Sequence, residues 1–217
     1  MDNIEAVTRL RDGAAKLGVE VSEASAQTLL RLRDELLKWN QKVNLTAITD
    51  PVEVLEKHFL DSLAVAPEVA GAKALLDLGA GAGFPGIPLR IHFSGLQVTL
   101  VDAVAKKVGF MKHALAALGL SAGSRAVHGR AEGRPDSEGL PKVDLVISRA
   151  LMDLPQWAVL GSAYVAEGGK LVAMLGQPPD AKVVEEAVRA GGFREAKVRA
   201  YALPWSQAGR HVVQLFR

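Results

Sequence analysis

The chain has 217 residues, nearly half of them apolar, so it can bury one substantial core with a small appended part but hardly two independent domains. It contains no cysteine, which excludes disulfides, thiolate metal sites and a cysteine nucleophile, and its formal net charge of only +2 identifies no partner by itself. Without a signal-peptide pattern or an apolar run near the roughly 20 residues of a membrane span, we expect a soluble, cytoplasmic protein with no membrane partner.

The first 70 residues are predicted to be helical. From Ser22 onward, apolar residues recur at the three- and four-residue spacing of an amphipathic helix, namely Leu29, Leu32, Leu36 and Trp39. A further helix is predicted from Asp50, the candidate N-cap, and Pro51, which suits the first helical position. Its expected buried face consists of Val52, Leu55, Phe59 and Leu63. We therefore assign residues 1–70 to an N-terminal helical extension.

After Gly71 the pattern changes to short apolar strands that alternate with helices. The predicted strands are Ala74–Leu78, Val98–Val101, Arg125–His128, Asp144–Ser148 and Lys170–Leu175. The predicted helices are Gly86–Phe93, Ala105–Leu118 and Leu154–Val165. Such alternation indicates an α/β fold in which a parallel sheet is covered by helices on both faces.

The end of the chain departs from this alternation. Ala196–Ala202 and His211–Phe216 are strand-like and are joined by the loop Pro204–Gly209, which predicts a C-terminal antiparallel pair. Gly133–Pro141 is predicted to be a loop that is too short to link domains. Residues 71–217 are therefore expected to form one domain around a mostly parallel, seven-stranded sheet.

The most specific pattern is a glycine-rich loop directly after the first strand. It reads Asp77-Leu-Gly79-Ala-Gly81-Ala-Gly83-Phe84-Pro85-Gly86. Glycines let the backbone turn tightly and let a ligand approach closer than a side chain would permit. In an open parallel sheet, ligands bind at this carboxyl end of the strands, so position and composition agree.

The loop also satisfies the dinucleotide pattern G-x-G-x-x-G, but two features favour S-adenosylmethionine over a nicotinamide dinucleotide. A carboxylate at Asp77 would repel a pyrophosphate and attract a cationic amino group or sulfonium, directly or through water. Pro85 and Pro88 remove amide donors that a pyrophosphate would use. Asp102, nineteen residues after Gly83, ends the second strand where an acidic side chain accepts bonds from ribose hydroxyls of either cofactor.

The D-x-G-x-G-x-G loop with a strand-terminal Asp resembles the cofactor site of class I, Rossmann-like S-adenosylmethionine-dependent methyltransferases. Further segments are similar to the RsmG (GidB) family over most of the chain. They are Asn44-Leu45-Thr46-Ala47-Ile48, Asp50-Pro51 with Glu53, His58 with Asp61-Ser62, Phe84-Pro85-Gly86-Ile87-Pro88-Leu89, Val101-Asp102 with Lys106-Lys107 and Phe110-Met111, Gly129-Arg130-Ala131-Glu132, Ser148-Arg149-Ala150 and Gly209-Arg210-His211.

This resemblance implies a transferase that methylates N7 of a guanine in 16S ribosomal RNA, with the RNA or the small ribosomal subunit as partner and a monomer as the active form. It implies that backbone groups of Ala131 and Glu132 read the adenine edge and that Gly79 and Phe84 line the pocket. The less favoured alternative is that Glu132 is a solvated loop acid. In one position the chain departs from the family: Leu175 stands where a lysine is usual.

Arg149 ends the fourth strand, and the family pattern makes it a ligand-binding and positioning residue. Its guanidinium could pair with the methionine carboxylate or an RNA phosphate, or form a structural salt bridge. For the ligand role we expect Arg149→Ala to fold normally and to lose about 1.5–3 kcal/mol of ligand interaction.

His58, Asp61 and Ser62 lie at i, i+3 and i+4, so they share one face of a helix. We favour a hydrogen-bonded polar cluster that packs the helical extension on the catalytic domain over direct substrate contact. A Ser-His-Asp hydrolase is not indicated, because the three residues share one short segment without a glycine elbow.

Guanine N7 has an in-plane lone pair and no proton, so its methylation needs alignment and no general base. No metal is expected, since the five histidines are scattered. Residues 71–217 hold 18 Lys/Arg against 12 Asp/Glu, whereas residues 1–70 hold 8 against 12, so an anionic partner is expected on the later part. The candidate RNA contacts are Lys106, Lys107, Arg130, Arg210 and His211.

Two other functions stay open on the sequence. A methyltransferase of the same fold could act on a small molecule or a protein, since only the family motifs and the basic later region favour RNA. A nicotinamide-dependent oxidoreductase is opposed by Asp77 and by the absence of a second substrate domain.

Overall fold

The computed structural model describes residues 2–149 and 152–217; Ala150, the last residue of the Ser148-Arg149-Ala150 segment, lies outside them. The helices are α1 (Asn3–Lys16), α2 (Glu23–Asn40), α3 (Pro51–Val54), α4 (Asp61–Leu63), α5 (Ala66–Val69), α6 (Gly86–His92), α7 (Ala105–Ala117), α8 (Pro135–Glu138), α9 (Leu154–Ser162) and α10 (Ala181–Gly191). A π-helical stretch, Leu55–Leu60, joins α3 to α4, so residues 51–63 are continuously helical.

Seven strands form one sheet. They are β1 (Ala74–Leu78), β2 (Gln97–Asp102), β3 (Ser124–His128), β4 (Val143–Arg149), β5 (Val165–Leu175), β6 (Glu195–Ala202) and β7 (Gly209–Phe216). Their order is β3-β2-β1-β4-β5-β7-β6, and β7 is antiparallel to both of its neighbours while the other pairs are parallel. The predicted mostly parallel sheet with a C-terminal antiparallel pair is confirmed.

The sheet has one buried cluster on each face, because successive strand residues point to opposite sides. Leu75 packs in a cluster with α6, α7 and the helices of residues 1–70. Leu76 packs in the other cluster, with α9 and α10. The helical extension thus shares a core with one face of the sheet.

The helix that contains α3 begins as predicted. The Asp50 carboxylate accepts hydrogen bonds from the amides of Val52 and Glu53, each at 2.9 Å, and Pro51 is the first helical residue. Of the expected buried face, Leu55, Phe59 and Leu63 are fully buried, whereas Val52 is half-buried.

Three helical elements differ from the expectations. The helix predicted to end at Val165 ends at Ser162, because β5 already begins at Val165, where it pairs with Val143. The unpredicted helix α10 is capped by Asp180, whose side chain accepts from the amide of Lys182, and it ends before the left-handed Gly192. The predicted loop Gly133–Pro141 also contains the single turn α8.

Among residues 2–149 and 152–217, no helix combines the length and the apolar character that crossing a bilayer requires.

Candidate active site

A cavity of about 660 Å³ lies at the carboxyl ends of β1, β2, β3 and β4, where the helical extension meets the sheet. From the extension it is lined by Leu45, Thr46 and His58. From the sheet domain it is lined by Leu78, Gly79, Ala80, Gly81, Ala82, Phe84, Val101, Asp102, Ala103, Val104, Lys107, Gly129, Arg130, Ala131, Arg149, Met152 and Leu160. The predicted glycine loop and the second, third and fourth strand ends therefore meet at one cavity.

The glycine loop has the backbone that its sequence predicts. Gly79 and Gly81 have φ values of 74° and 61°, in the left-handed region that side chains disfavour. The amides of Gly79 and Ala80 both donate to the carbonyl of Val101, at 2.9 and 3.0 Å, so the loop folds back over the end of β2. A methyl group at Gly81 would meet no protein atom within 4 Å, so the space beside Gly81 is open.

Asp77 lies beneath this loop and is not part of the cavity lining. Its side chain is completely buried, and Oδ2 accepts a hydrogen bond from the Gly86 amide at 2.9 Å. Oδ1 has no hydrogen-bond partner among the described residues. Burial without full compensation raises the pKa of Asp77 from 3.8 to about 7. At neutral pH the buried carboxyl group of Asp77 is therefore partly protonated, and it directly precedes Leu78 and Gly79, which line the cavity.

Asp102, by contrast, lines the cavity and has partners for both oxygens. Oδ2 accepts from the Gly81 amide at 2.9 Å and Oδ1 from the Val104 amide at 2.8 Å. These bonds fix the carboxylate at the end of β2 and leave further lone pairs for a hydroxyl-bearing ligand.

Arg149 connects the end of β4 to the helical extension. Nη1 donates to the carbonyl of Lys57 at 3.1 Å and approaches Asp61 Oδ2 at 3.4 Å, and Nη2 lies 3.3 Å from His58 Nδ1. Its guanidinium carbon lies 5.7 Å from the centre of the Phe84 ring. Arg149 therefore forms the structural salt bridge that the sequence left open, and it also lines the cavity.

The His58, Asp61 and Ser62 side chains are all buried at this junction. Ser62 donates to the carbonyl of His58 at 2.5 Å, and Asp61 accepts from the Tyr201 hydroxyl at 2.8 Å and lies 3.4 Å from Arg210 Nε. These contacts join the extension to β4, β6 and β7, which fits a packing role. Only His58 of the three lines the cavity.

His58 stacks on Phe84, with ring centres 4.4 Å apart and planes inclined by 5°. Its Nε2 lies 3.0 Å from Thr46 Oγ1. Burial and then the charge of Arg149 lower the pKa of His58 from 6.5 to about 3, so the ring is neutral at physiological pH. The stacked rings of His58 and Phe84 therefore form one wall of the cavity, and His58 is a neutral group in it.

The remaining predicted residues divide between the cavity and other positions. Ala131 lines the cavity, but the amide of Glu132 donates to Glu138 at 3.0 Å and its side chain pairs with Arg134. Gly83 is held under the loop, where a methyl group would lie 2.4 Å from Ile87 Cδ1.

Of the five candidate RNA contacts, Lys107 and Arg130 line the cavity. Lys106 is exposed on α7, next to the cavity in sequence but outside its lining. Arg210 is placed in the Asp61 cluster. His211 is half-buried on β7, opposite Leu175 of β5, and its Nδ1 has no partner among the described residues.

Sequence reasoning assigned no role to Thr46, Val104 and Met152, which the structure adds to the cavity. Thr46 stood within the segment Asn44 to Ile48 that carried the family resemblance, and this was its only signal in the sequence.

Solved structures of low sequence identity share this architecture. The O-methyltransferase from Bacillus cereus in complex with SAH has a TM-score of 0.60 at 16% identity and covers 86% of this chain and 91% of that chain. A methyltransferase from Pyrococcus furiosus has a TM-score of 0.60 at 14% identity, with 86% and 98% covered. The fold is that of the class I methyltransferases.

Sequence relatives are more specific. Residues 25–209 match the family GidB, described as rRNA small subunit methyltransferase G. The Ribosomal RNA small subunit methyltransferase G of Myxococcus xanthus is 56% identical over 98% of this chain and 97% of its own length. The protein of that name from Geobacter sulfurreducens is 38% identical over 95% of each chain. The chain belongs to the rRNA small subunit methyltransferase G family and is a methyltransferase of that family.

Proposed function

We propose that the protein transfers a methyl group from S-adenosylmethionine to N7 of a guanine in the 16S RNA of the small ribosomal subunit. The observation that carries the proposal is the single cavity formed by the glycine loop, the Asp102 carboxylate and the wall of the helical extension. One side of this cavity suits a nucleoside with a cationic tail, and two basic residues stand at its edge.

The residues present fit S-adenosylmethionine. Gly79 and Gly81 would let the backbone approach it, Asp102 would accept from the ribose hydroxyls, and Ala131 would face the adenine with Phe84 across the pocket. The unpartnered, buried Oδ1 of Asp77 would gain a favourable field from the cationic end of the ligand. Glu132 would contribute at most its carbonyl, because its amide and carboxylate already have partners.

The reaction requires the protein to align guanine N7 with the methyl carbon and the sulfur of S-adenosylmethionine. When bound, S-adenosylmethionine supplies the methyl group, whose carbon–sulfur bond breaks as the N7–carbon bond forms. Phe84, His58 and Arg149 are held by one another and by Asp61, so they form a preorganised wall of the cavity that would orient its ligands. His58 takes up no proton at neutral pH, which agrees with a reaction that needs no general base.

Replacing Gly81 by alanine should lower the affinity for S-adenosylmethionine while the protein still folds. Gly81→Ala is expected to cost about 1–2 kcal/mol of stability for the left-handed backbone and to weaken S-adenosylmethionine binding at least tenfold by filling the open space. The control Gly86→Ala places a methyl group 2.3 Å from Leu100 Cδ2 and 3.0 Å from Asp77 Oδ2, outside the cavity lining, and should cost about 1–3 kcal/mol of stability. Urea unfolding and calorimetric titration measure both; unchanged affinity in Gly81→Ala would remove this loop from the binding site.

RNA contact is proposed at the cavity edge. Lys107 and Arg130 form no salt bridge with any residue in 2–149 or 152–217. We expect Lys107→Ala and Arg130→Ala each to weaken RNA binding and to lower the slope of log K against log salt by about one. Lys182→Ala, on α10 at the opposite face, is the control that should change neither. Salt-insensitive binding by the wild-type protein would count against an RNA substrate.

The direct test uses methyl-labelled S-adenosylmethionine and small subunits that lack the modification. Label should appear in the RNA at a guanine N7, and naked 16S RNA assayed in parallel identifies the preferred form of the substrate. Label on a ribosomal protein or a small molecule, with none at guanine N7, would refute the proposed acceptor and favour the alternative methyltransferase.

We also propose that residues 1–70 are an extension of the 71–217 methyltransferase domain, since their apolar side chains share its core. A monomer in the cytoplasm is proposed with the family function, and light scattering of the purified protein tests the oligomeric state.

A further inference from the structure

We propose that the hydroxyl of Thr46 donates a hydrogen bond to the O6 carbonyl of the target guanine, and that it does so as a donor only. Thr46 thereby distinguishes guanine from adenine at the edge where the methyl group is received. This inference rests on the proposed function, because it assigns a specificity role to a wall of the same cavity.

The direction of each hydrogen bond follows from a series of hydrogen bonds that starts at Arg149 and passes through His58 to Thr46. A guanidinium has donors only, so His58 Nδ1, 3.3 Å from Arg149 Nη2, must be the acceptor. A neutral imidazole then carries its proton on Nε2. Nε2 lies 3.0 Å from Thr46 Oγ1, so the histidine donates and the threonine oxygen accepts.

Burial keeps the imidazole in its neutral form. His58 is 5% exposed, and its pKa is lowered to about 3, first by desolvation and then by the Arg149 charge. The ring therefore stays neutral across the pH range in which the enzyme would work. The donors and acceptors of the hydrogen bonds from Arg149 to Thr46 do not change with pH in that range.

The second acceptor position of Thr46 is also filled. The amide of Ile48 donates to Oγ1 at 3.1 Å. With both lone-pair positions occupied, the hydroxyl hydrogen is the one group that Thr46 can still offer. Among residues 2–149 and 152–217, no hydrogen bond from this hydroxyl to a protein acceptor is formed once His58 is the donor. Thr46 is half-buried and lines the cavity, and the proposal places its hydroxyl hydrogen toward a ligand there.

The backbone around Thr46 is fixed. Asn40, at the end of α2, accepts from the amides of Leu45 and Thr46 at 2.8 and 3.1 Å and donates to the carbonyl of Thr46 at 3.0 Å. The hydroxyl is thus placed by three backbone contacts in addition to its own two bonds. A donor held in this way can discriminate between ligands without an ordering step.

Purine chemistry identifies what this donor reads. The edge of guanine that carries N7 presents two acceptors, N7 and O6, whereas adenine presents N7 and the donor N6 amino group. A threonine normally tolerates either base because its hydroxyl both donates and accepts. At Thr46 the accepting capacity is used by His58 and Ile48, so an amino group would meet a hydroxyl that cannot accept from it.

Thr46 belongs to the helical extension, whereas Gly79, Gly81, Asp102 and Ala131, the proposed cofactor contacts, all belong to the sheet domain. We therefore assign Thr46 to the acceptor base.

The test combines Thr46→Val, Thr46→Ser and two RNA substrates that carry guanine or 2-aminopurine at the methylated position. 2-Aminopurine retains N7 and lacks O6. On guanine, Thr46→Val should lower kcat/KM at least about tenfold, the worth of one hydrogen bond to a fixed donor, and Thr46→Ser should stay near wild type. On 2-aminopurine, Thr46→Val should lose about tenfold less than it loses on guanine, because the bond to O6 is absent while the bonds from His58 and Ile48 are lost on both substrates. The affinity for S-adenosylmethionine should be the same in all three proteins.

Each other outcome overturns the proposal. An equal loss by Thr46→Val on both substrates means that Thr46 only supports the wall, and weaker cofactor binding means that it faces the cofactor. If Thr46→Val does not fold, the wild-type protein alone still tests the proposal. Equal rates of wild type on guanine and 2-aminopurine would exclude recognition of O6 by Thr46. Failure of the proposed function is separate: wild-type protein would then methylate no guanine N7 at all.

Discussion

Asp77→Asn is expected to make the free protein more stable at pH 8 and, at the same time, a poorer binder of S-adenosylmethionine. The carboxylate is fully buried with one unpartnered oxygen, and its pKa is raised from 3.8 to about 7. Such a rise corresponds to a cost of up to about 4 kcal/mol for holding the ionised group in the folded chain. Asparagine can still accept from the Gly86 amide and removes this cost.

The sign of the pH dependence follows from the raised pKa. Between pH 4 and pH 7 the unfolded chain has lost the proton and the folded chain still holds it, so wild-type stability falls as the pH rises. Above pH 7 both states are ionised and the cost is constant. In urea unfolding, the stability advantage of the Asp77→Asn variant over wild type should therefore be small at pH 4, grow up to pH 7 and then level off.

Asp102→Asn is the matched control, because both oxygens of Asp102 already accept backbone amides and the exchange removes one of these bonds. It should destabilise the protein by about 1 kcal/mol. For Asp77→Asn, calorimetry should show an affinity for S-adenosylmethionine lowered roughly tenfold, since a neutral amide no longer attracts the cationic end. An Asp77→Asn protein that unfolds more easily at pH 8, or binds the ligand as well as wild type, contradicts this account of Asp77.

The second large effect is expected for Arg149→Ala, which should lose about 1–3 kcal/mol of stability and about a hundredfold in turnover. The guanidinium holds the Lys57 carbonyl, Asp61 and His58, and it lies over Phe84. Its removal frees the wall of the cavity and leaves Asp61, only 3% exposed, with Tyr201 and Arg210 as partners. The sequence led us to expect that this variant folds normally, and its contacts in the structure add an expected loss of stability.

The variant Arg199→Ala distinguishes the loss of stability expected for Arg149→Ala from its loss of turnover. Arg199 makes a comparable link, to the buried Glu68 at 2.6 and 2.8 Å and to the carbonyl of Ala64 at 2.7 Å, but it does not line the cavity. Both variants should show lowered unfolding midpoints, whereas turnover at a temperature where both are folded should fall only in Arg149→Ala. Equal turnover in the two variants would show that Arg149 acts through stability alone.

Much of the sheet was predictable because β1, β2, β4 and the second half of β5 are mostly apolar runs that are largely buried. Ala74–Leu78 was predicted with both ends correct. Four of the other strands were predicted with the correct last residue and a late first residue, and two were predicted one residue short at each end. The start of β5 was missed because Gly168 and Gly169 are typical of a turn, while in the structure the strand continues through them. Helix α10 carried ordinary signals, an Asp cap and a terminal glycine pair, that the prediction did not use.

The local chemistry of the site was determined by the sequence, because it depends on residues that are close along the chain. The glycine spacing, the carboxylates Asp77 and Asp102 at two strand ends and the family segments are all visible without a fold. They sufficed for the class of enzyme and its family, which the comparisons confirm.

Only the tertiary structure decided which side chains face the cavity and in which state. Thr46, His58, Phe84 and Arg149 are far apart in sequence and meet because the extension packs against the carboxyl ends of the strands. Burial and hydrogen-bond direction depend on every neighbour in space, so no pattern along the chain could show that Asp77 lacks a partner or that the Thr46 hydroxyl is left with only its proton to offer.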